Sequence, residues 1–203
     1  MDAPILEGLK AEVVQWDPAL GACTRCVDQA QLDVWAAHGS WLPEEMGGYR
    51  IAPLRKRLMV HPHYTGKGVT ICFIDSGFSN HPDIQGRIHK VLDIHKPTAS
   101  EESLFRVNSL NGHGTMTSVV CSGDGKLSGG LYRGLAPDAE LVLIKVTDER
   151  GSISGAGIAK AIRWATEHRK PYGIRVINLS VTADESTGYR ENEVDLAIEE
   201  AVN

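Results

Sequence analysis

The 203-residue sequence has few cysteines, few aromatic residues and no long apolar run. Its four cysteines, at positions 23, 26, 72 and 121, are too few and too scattered for the disulfide scaffold of a small secreted protein. The apolar windows at 69–74 and 141–146 fall far short of the roughly 20 residues that a membrane-spanning helix needs. The sequence therefore predicts neither a disulfide-rich nor a membrane-spanning protein.

An excess of positive charge is also absent. The net charge is −5, and the only short basic run is at 55–57, so we expect no nucleic-acid partner and no anionic-membrane partner. The first residues lack the basic start and the apolar stretch of about 7–15 residues that define a secretory signal. Together with the scattered cysteines, this predicts a reducing, cytoplasmic location.

From residue 68 onward, apolar segments alternate with helical patterns. Apolar runs at 69–74, 88–94, 141–146 and 176–181 predict strands, and patterns that open near Gly114 and span 158–167 and 193–202 predict helices. Continuous apolar strands separated by helices are typical of a parallel sheet that is covered on both faces. We therefore expect a three-layer α/β fold with helices on both faces of a parallel sheet.

Residues 1–60 differ in texture from the rest of the chain. They hold three of the four tryptophans and a stretch rich in Pro and Gly at 39–53. A helical pattern at 27–37 predicts one short helix within them. We predict an N-terminal extension or prosegment at 1–60 and a main domain at 61–203. Cys23 and Cys26 have the CxxC spacing of a zinc site, but a lone pair of this kind is a weak signal and coincidence is favoured.

Two short motifs carry candidate chemistry. The apolar run at 69–74 leads directly into Asp75-Ser76-Gly77, which places a carboxylate at the carboxyl end of a predicted parallel strand, where α/β folds bind ligands. His113 lies between two glycines just before a predicted helix. An aspartate can hold one imidazole nitrogen while the other nitrogen takes a proton from a nucleophile. The pair therefore predicts acid-base catalysis.

These motifs resemble those of the subtilisin-like serine proteases, the subtilases. Asp75-Ser76-Gly77 is similar to the family's aspartate motif and His113-Gly114-Thr115 to its histidine motif, while the segments at 135–146 and 176–180 resemble later family segments. The resemblance covers about residues 65–203. It implies a subtilisin-like α/β domain that cleaves polypeptide substrates, with Asp75 orienting His113 and His113 acting as general base and then general acid.

The resemblance also implies a substrate cleft. Its two edges would be Gly151, Ser152 and Ile153 on one side and Ser180, Val181 and Thr182 on the other, each pairing with the substrate backbone. Ile153 and Thr182 stand where the family usually has glycine, so we expect side chains to narrow the cleft there. No metal site or cofactor is predicted, although Asp83 lies where many subtilases hold a structural calcium.

The family's nucleophile motif, Gly-Thr-Ser-x-Ala, does not occur in the sequence. The order of the triad in subtilisin would place the nucleophile near residue 270, about 67 residues beyond Asn203. We therefore interpret the chain as the part of a subtilisin-like endopeptidase that carries Asp and His, incomplete at its C-terminus and inactive alone. The alternative is a non-catalytic fragment or pseudoenzyme that binds peptides or a complementary C-terminal segment.

Overall fold

The computed structural model describes four short strands before residue 52 by their backbone, and residues 53–105, 109–183 and 188–203 with most of their side chains. The strands are β1 (Glu12–Asp17), β2 (Ala22–Cys26), β3 (Trp41–Pro43), β4 (Tyr49–Ile51), β5 (Thr70–Asp75), β6 (Ile88–Asp93), β7 (Glu140–Lys145) and β8 (Ile174–Leu179). The helices are α1 (Leu54–Arg57), α2 (Glu101–Leu104), α3 (Gly112–Ser122), α4 (Gly155–Glu167), α5 (Arg169–Tyr172) and α6 (Glu193–Val202).

The chain divides into two compact units, residues 1–62 with 125–133 and residues 63–124 with 134–203. In the first unit, β1 to β4 form an antiparallel sheet in the order β1-β2-β4-β3. The predicted helix at 27–37 lies outside the described residues, and so do the side chains of Cys23 and Cys26 in β2. The assignment of residues 1–60 as an extension or prosegment stays a prediction.

The second unit contains a four-stranded sheet in the order β6-β7-β5-β8, in which every strand pair is parallel. The two central strands, β5 and β7, are almost completely buried because both of their faces are covered. This is the arrangement that their continuous apolar sequences predict. The expected three-layer α/β fold is confirmed.

Alternate side chains of the strands build two separate cores. On one face, Cys72 and Ile74 of β5 pack beneath α4 and α6, which contribute Ile158, Ile162 and Ala197. On the other face, residues such as Ile71 and Phe73 of β5 pack with Phe78 and Ile84, and with Val119 of α3 at the margin. The sheet thereby separates α3 from α4 and α6, while all the parallel strands end at one common edge.

The bounds of α4 and β8 differ most from the sequence prediction. α4 begins at Gly155, three residues before the predicted start, because the Ser154 hydroxyl accepts a hydrogen bond from the Gly157 N–H at 3.1 Å and caps the helix. β8 spans 174–179 rather than 176–181, because Gly173, with φ of 66°, ends α5 and Ile174 already pairs with Thr70. Ser180 and Val181 therefore lie beyond the strand.

Within the described parts of the chain, every helix is too short or too polar to cross a bilayer.

Candidate active site

Asp75 is the last residue of β5 and is held rigidly at the carboxyl edge of the sheet. It pairs in register with Lys145 of β7, and its carbonyl oxygen accepts a hydrogen bond from the Val146 N–H at 3.0 Å. Its side chain is 1% exposed. A carboxylate at this depth requires hydrogen-bond donors to offset the loss of hydration.

His113 lies in the first turn of α3 and supplies one of these donors. Its Nδ1 atom is 2.9 Å from Oδ1 and 3.1 Å from Oδ2 of Asp75. Because an ionised carboxylate only accepts hydrogen bonds, Nδ1 carries the proton and Nε2 of the neutral ring keeps its lone pair. The His113 side chain is 49% exposed, so the buried carboxylate fixes one ring nitrogen while solvent reaches the imidazole.

The close approach of α3 to the end of β5 depends on glycine. A Cβ atom at Gly114 would collide with the carbonyl oxygen of Gly77 and would lie 3.0 Å from Asp75 Cβ and 3.0 Å from Phe78 Cε1. A Cβ atom at Gly77 would collide with the side chain of Asn111. The glycines of both motifs therefore permit the contact between Asp75 and His113.

Two further residues, which the sequence reasoning did not single out, donate to Asp75. The Ser76 N–H donates to Oδ1 at 2.7 Å and the Ser76 hydroxyl at 3.2 Å, although that hydroxyl also donates to the Leu110 carbonyl at 2.6 Å. The Thr117 hydroxyl donates to Oδ2 at 3.3 Å. Since Thr117 follows His113 by four residues on one helix, their shared face could have indicated this contact.

The first predicted cleft edge, Gly151 to Ile153, follows the end of β7. Gly151 has φ of 80° in a tight turn, where the Ser152 N–H donates to the Asp148 carboxylate at 2.9 Å. Ile153 forms an antiparallel bridge with Thr147, and its half-buried side chain packs against the core beneath α4. The expected narrowing of the cleft by Ile153 stays a prediction.

The second predicted edge, Ser180 to Thr182, follows the end of β8 in extended or irregular backbone. The Ser180 hydroxyl donates to Asn178 Oδ1 at 2.9 Å, and Val181 packs partly against the core beneath α4. Thr182 is exposed. Both predicted edges thus follow strands of the parallel sheet that also contains β5, the strand that ends at Asp75. Their role in substrate binding stays a prediction.

An ion pair lies at the same edge of the sheet. Lys145 Nζ donates to Asp93 Oδ2 at 2.7 Å and to the Thr147 carbonyl at 2.8 Å. Burial acts to raise the pKa of Asp93, but hydrogen bonds from Lys145 and from the N–H groups of His95 and Lys96 outweigh it, and the pKa is lowered. The pair stays ionised and joins the ends of β6 and β7.

Asp83, the residue considered for calcium, is buried, and its carbonyl oxygen accepts hydrogen bonds from Arg87 at 2.6 Å and from the Asp124 N–H at 2.9 Å. Among the residues with described side chains, no three His, Cys, Asp or Glu form a group that could hold a metal ion. Calcium binding at Asp83 and zinc binding at Cys23 and Cys26 are untested by this geometry.

Comparison with known sequences identifies relatives of this chain among serine proteases. The chain is 33% identical over 143 residues to serine protease AprX of Bacillus subtilis, which covers 68% of this chain and 31% of that protein. It is 31% identical over 138 residues to subtilisin Savinase of Lederbergia lenta, which covers 68% of this chain and 46% of that protein. The chain therefore spans less than half the length of these relatives.

Solved structures show the same similarity. A cold-adapted subtilisin-like serine proteinase matches with a TM-score of 0.52 and 25% identity over 70% of this chain and 45% of the other. The CspB protease of Clostridium perfringens matches with a TM-score of 0.57 and 18% identity over 68% of this chain and 34% of the other, a likeness of fold. The model of the Subtilase family, Peptidase S8, matches residues 66–203, and the chain therefore belongs to this family of serine proteases.

Proposed function

We propose that this chain supplies the aspartate and the histidine of a subtilase-type serine endopeptidase that hydrolyses polypeptides. One observation carries the proposal: the buried Asp75 carboxylate holds Nδ1 of a half-exposed His113 ring at the carboxyl edge of a parallel sheet. In such a pair the carboxylate fixes the tautomer of the ring and stabilises the imidazolium, while Nε2 accepts a proton. Family membership supports serine as the nucleophile.

In the proposed reaction, His113 Nε2 takes the hydroxyl proton of a serine as its oxygen attacks the carbonyl carbon of the substrate. The imidazolium then gives this proton to the leaving amine as the peptide bond breaks, which leaves an acyl-serine. Water hydrolyses the acyl-serine with His113 again as base. The first step needs the lone pair of Nε2, so only the neutral ring of His113 can begin the reaction.

These 203 residues contain no Gly-Thr-Ser-x-Ala motif. The proposed reaction therefore needs a further segment that supplies the serine. We propose that such a segment, in the same polypeptide or a separate one, packs beside β8. Four of the six residues of β8 are apolar, yet Val176 is 48% exposed, and among the described residues β8 pairs only with β5. An apolar strand edge of this kind favours association.

A groove beside β8 supports this placement. Its volume is about 520 Å³, and it is lined mainly by apolar side chains of β8, α4 and α6, including Ile162, Ile177, Leu179, Ile198 and Ala201. α4 and α6 pack together on one face of the sheet, and α4 carries the chain from β7 past β5 to β8. Because crossovers between parallel strands are right-handed, a strand that follows α6 belongs on the far side of β8.

Labelling with a fluorophosphonate probe tests the proposed function. The purified chain is treated alone and after mixing with a recombinant segment of subtilisin Savinase that carries the nucleophile motif. We expect no label on the 22.1 kDa chain alone, and label on the added segment after mixing. Label on the chain alone would contradict the interpretation that it lacks the nucleophilic serine. Absence of label after mixing would favour the non-catalytic, peptide-binding alternative.

Two variants of α6 test the docking groove in the same assay. Ile198 lines the groove and is 39% exposed, whereas Leu196 is 37% exposed on the same helix and does not line it. Ile198→Asp should weaken labelling of the added segment at least tenfold, while Leu196→Asp, the matched control, should leave it close to the wild-type value. Equal effects of the two substitutions would count against the groove.

A further inference from the structure

Thr117 contacts the Asp75 carboxylate on the oxygen that has the fewest other donors. Oδ1 of Asp75 receives the Ser76 N–H at 2.7 Å and lies 2.9 Å from His113 Nδ1. Oδ2 lies 3.1 Å from His113 Nδ1 and otherwise receives only the Thr117 hydroxyl, at 3.3 Å, among the described residues. Thr117 is therefore the side chain, apart from the imidazole, that satisfies Oδ2.

Helix geometry explains why Thr117 reaches this oxygen. Residues four apart lie on one face of a helix, so α3 presents His113 and Thr117 to Asp75 together. Threonine has few rotamers in a helix, and the one that Thr117 adopts places its hydroxyl 3.3 Å from Asp75 Oδ2. The same hydroxyl lies 3.0 Å from the Gly114 carbonyl, and its single proton can serve only one of these two acceptors at a time.

An ionised carboxylate is the stronger hydrogen-bond acceptor of the two. We propose that Thr117 is a positioning residue of the dyad, which donates to Asp75 Oδ2 and thereby limits how strongly Asp75 stabilises the imidazolium of His113. A hydrogen bond to a carboxylate disperses its charge, so loss of the bond strengthens the attraction between the carboxylate and the protonated ring. The inference rests on the proposed function, because it assigns Thr117 to the same Asp-His pair.

Titration of His113 by NMR in the 203-residue chain tests this role without any nucleophile. The ring resonance is assigned by its loss in His113→Ala. Thr117→Val keeps the branched shape and removes the hydroxyl, and we expect it to raise the midpoint of the His113 titration by about 0.5 pH units. Thr117→Ser restores a hydroxyl and should return the midpoint to the wild-type value.

Ser118→Ala is the matched control on the same helix. The Ser118 hydroxyl donates only to backbone carbonyls, of Gly114 at 2.8 Å and Thr115 at 3.0 Å, so its loss should leave the His113 midpoint unchanged. An unchanged midpoint in Thr117→Val, or an equal shift in Ser118→Ala, would overturn the role of Thr117.

Asp75→Asn separates this outcome from a failure of the proposed function. Removal of the carboxylate should lower the midpoint of the His113 titration, because the imidazolium loses its counter-charge. If Asp75→Asn shifts the midpoint and Thr117→Val does not, the dyad stands and the Thr117 inference falls. If Asp75→Asn leaves the midpoint unchanged, the dyad itself is wrong and the inference falls with it.

Discussion

Gly114 shows how a single residue controls the candidate site. It follows His113 in α3, and its hydrogen atoms face the Gly77 carbonyl and the Asp75 side chain where a methyl group has no space. Gly112, one residue before His113 in the same helical turn, has open space where its Cβ would be. The two positions therefore allow a matched comparison of glycine-to-alanine substitutions in one helical turn.

We predict that Gly114→Ala destabilises the fold by about 1–3 kcal/mol and separates His113 from Asp75, because the added Cβ forces α3 away from the end of β5. Chemical denaturation measures the first effect and the NMR titration of His113 the second. Gly112→Ala should change the free energy of unfolding by less than about 1 kcal/mol. A harmless Gly114→Ala would contradict the described approach of α3.

Cys72 provides a second test at a single residue. Burial raises the pKa of the Cys72 thiol to about 12, so the reactive thiolate is rare in the folded chain at pH 8. We predict that iodoacetamide modifies Cys72 in the unfolded chain but not in the folded chain, whereas the half-buried Cys121 reacts in both. Mass spectrometry of the two peptides measures this, and rapid modification of Cys72 in the folded chain would show that β5 is not buried.

The sequence predicted Asp75 and His113 as candidate site residues, but it did not predict the side chains that donate hydrogen bonds to Asp75. Asp75 and His113 were predicted because short motifs with glycines mark them and because they resemble those of the subtilases. Thr117 and Ser76 were not predicted as donors, since a hydroxyl residue acquires this role only through distances that the fold sets. The helical spacing of Thr117 from His113 was the one available signal.

Among the elements, the ion pair between Lys145 and Asp93 joins the ends of β7 and β6 beside Asp75. The lowered pKa of Asp93 means that the folded state binds this proton less tightly than the unfolded chain. The pair therefore stabilises the fold above the ordinary Asp pKa of 3.8, and the stabilisation is lost as the pH falls through the lower, folded value.

We predict that Asp93→Asn lowers the free energy of unfolding by about 3 kcal/mol at pH 7, because Lys145 loses its partner in a largely buried setting. The difference from wild type should shrink as the pH falls below 4, which denaturation at several pH values measures. Glu200→Gln, which breaks the exposed pair of Arg163 with Glu200, should cost much less, because solvent screens exposed ion pairs. A difference that persists unchanged to pH 2 would contradict the assignment to Asp93 ionisation.

The elements of the parallel sheet were largely predictable, and their ends were not. Apolar runs indicated β5 and β7 because both faces of these strands are covered. The start of α4 depends on the Ser154 cap, and the start of β8 on the positive φ of Gly173, so neither follows from periodicity. The antiparallel sheet of β1 to β4 was not predicted, because short strands with few alternating residues carry a weak pattern.

For the whole molecule, membership of the subtilase family and the order of its motifs are established, while the activity is a proposal. The chain covers 31% of AprX and 46% of Savinase, so the partner segment that would supply the serine decides whether peptide bonds are cleaved. The cytoplasmic location, the cleft residues and the role of residues 1–60 stay predictions.

The most direct test of the central claim is peptide hydrolysis by this chain together with a nucleophile-bearing segment, joined or mixed, as wild type, His113→Ala and Asp75→Asn. In subtilisin, loss of the histidine costs about 10⁶-fold in kcat and loss of the aspartate about 10⁴-fold. We predict losses of that order here, with the histidine variant the more impaired and both variants folded. Turnover close to the wild-type value in His113→Ala would contradict the assignment of His113 as the catalytic base.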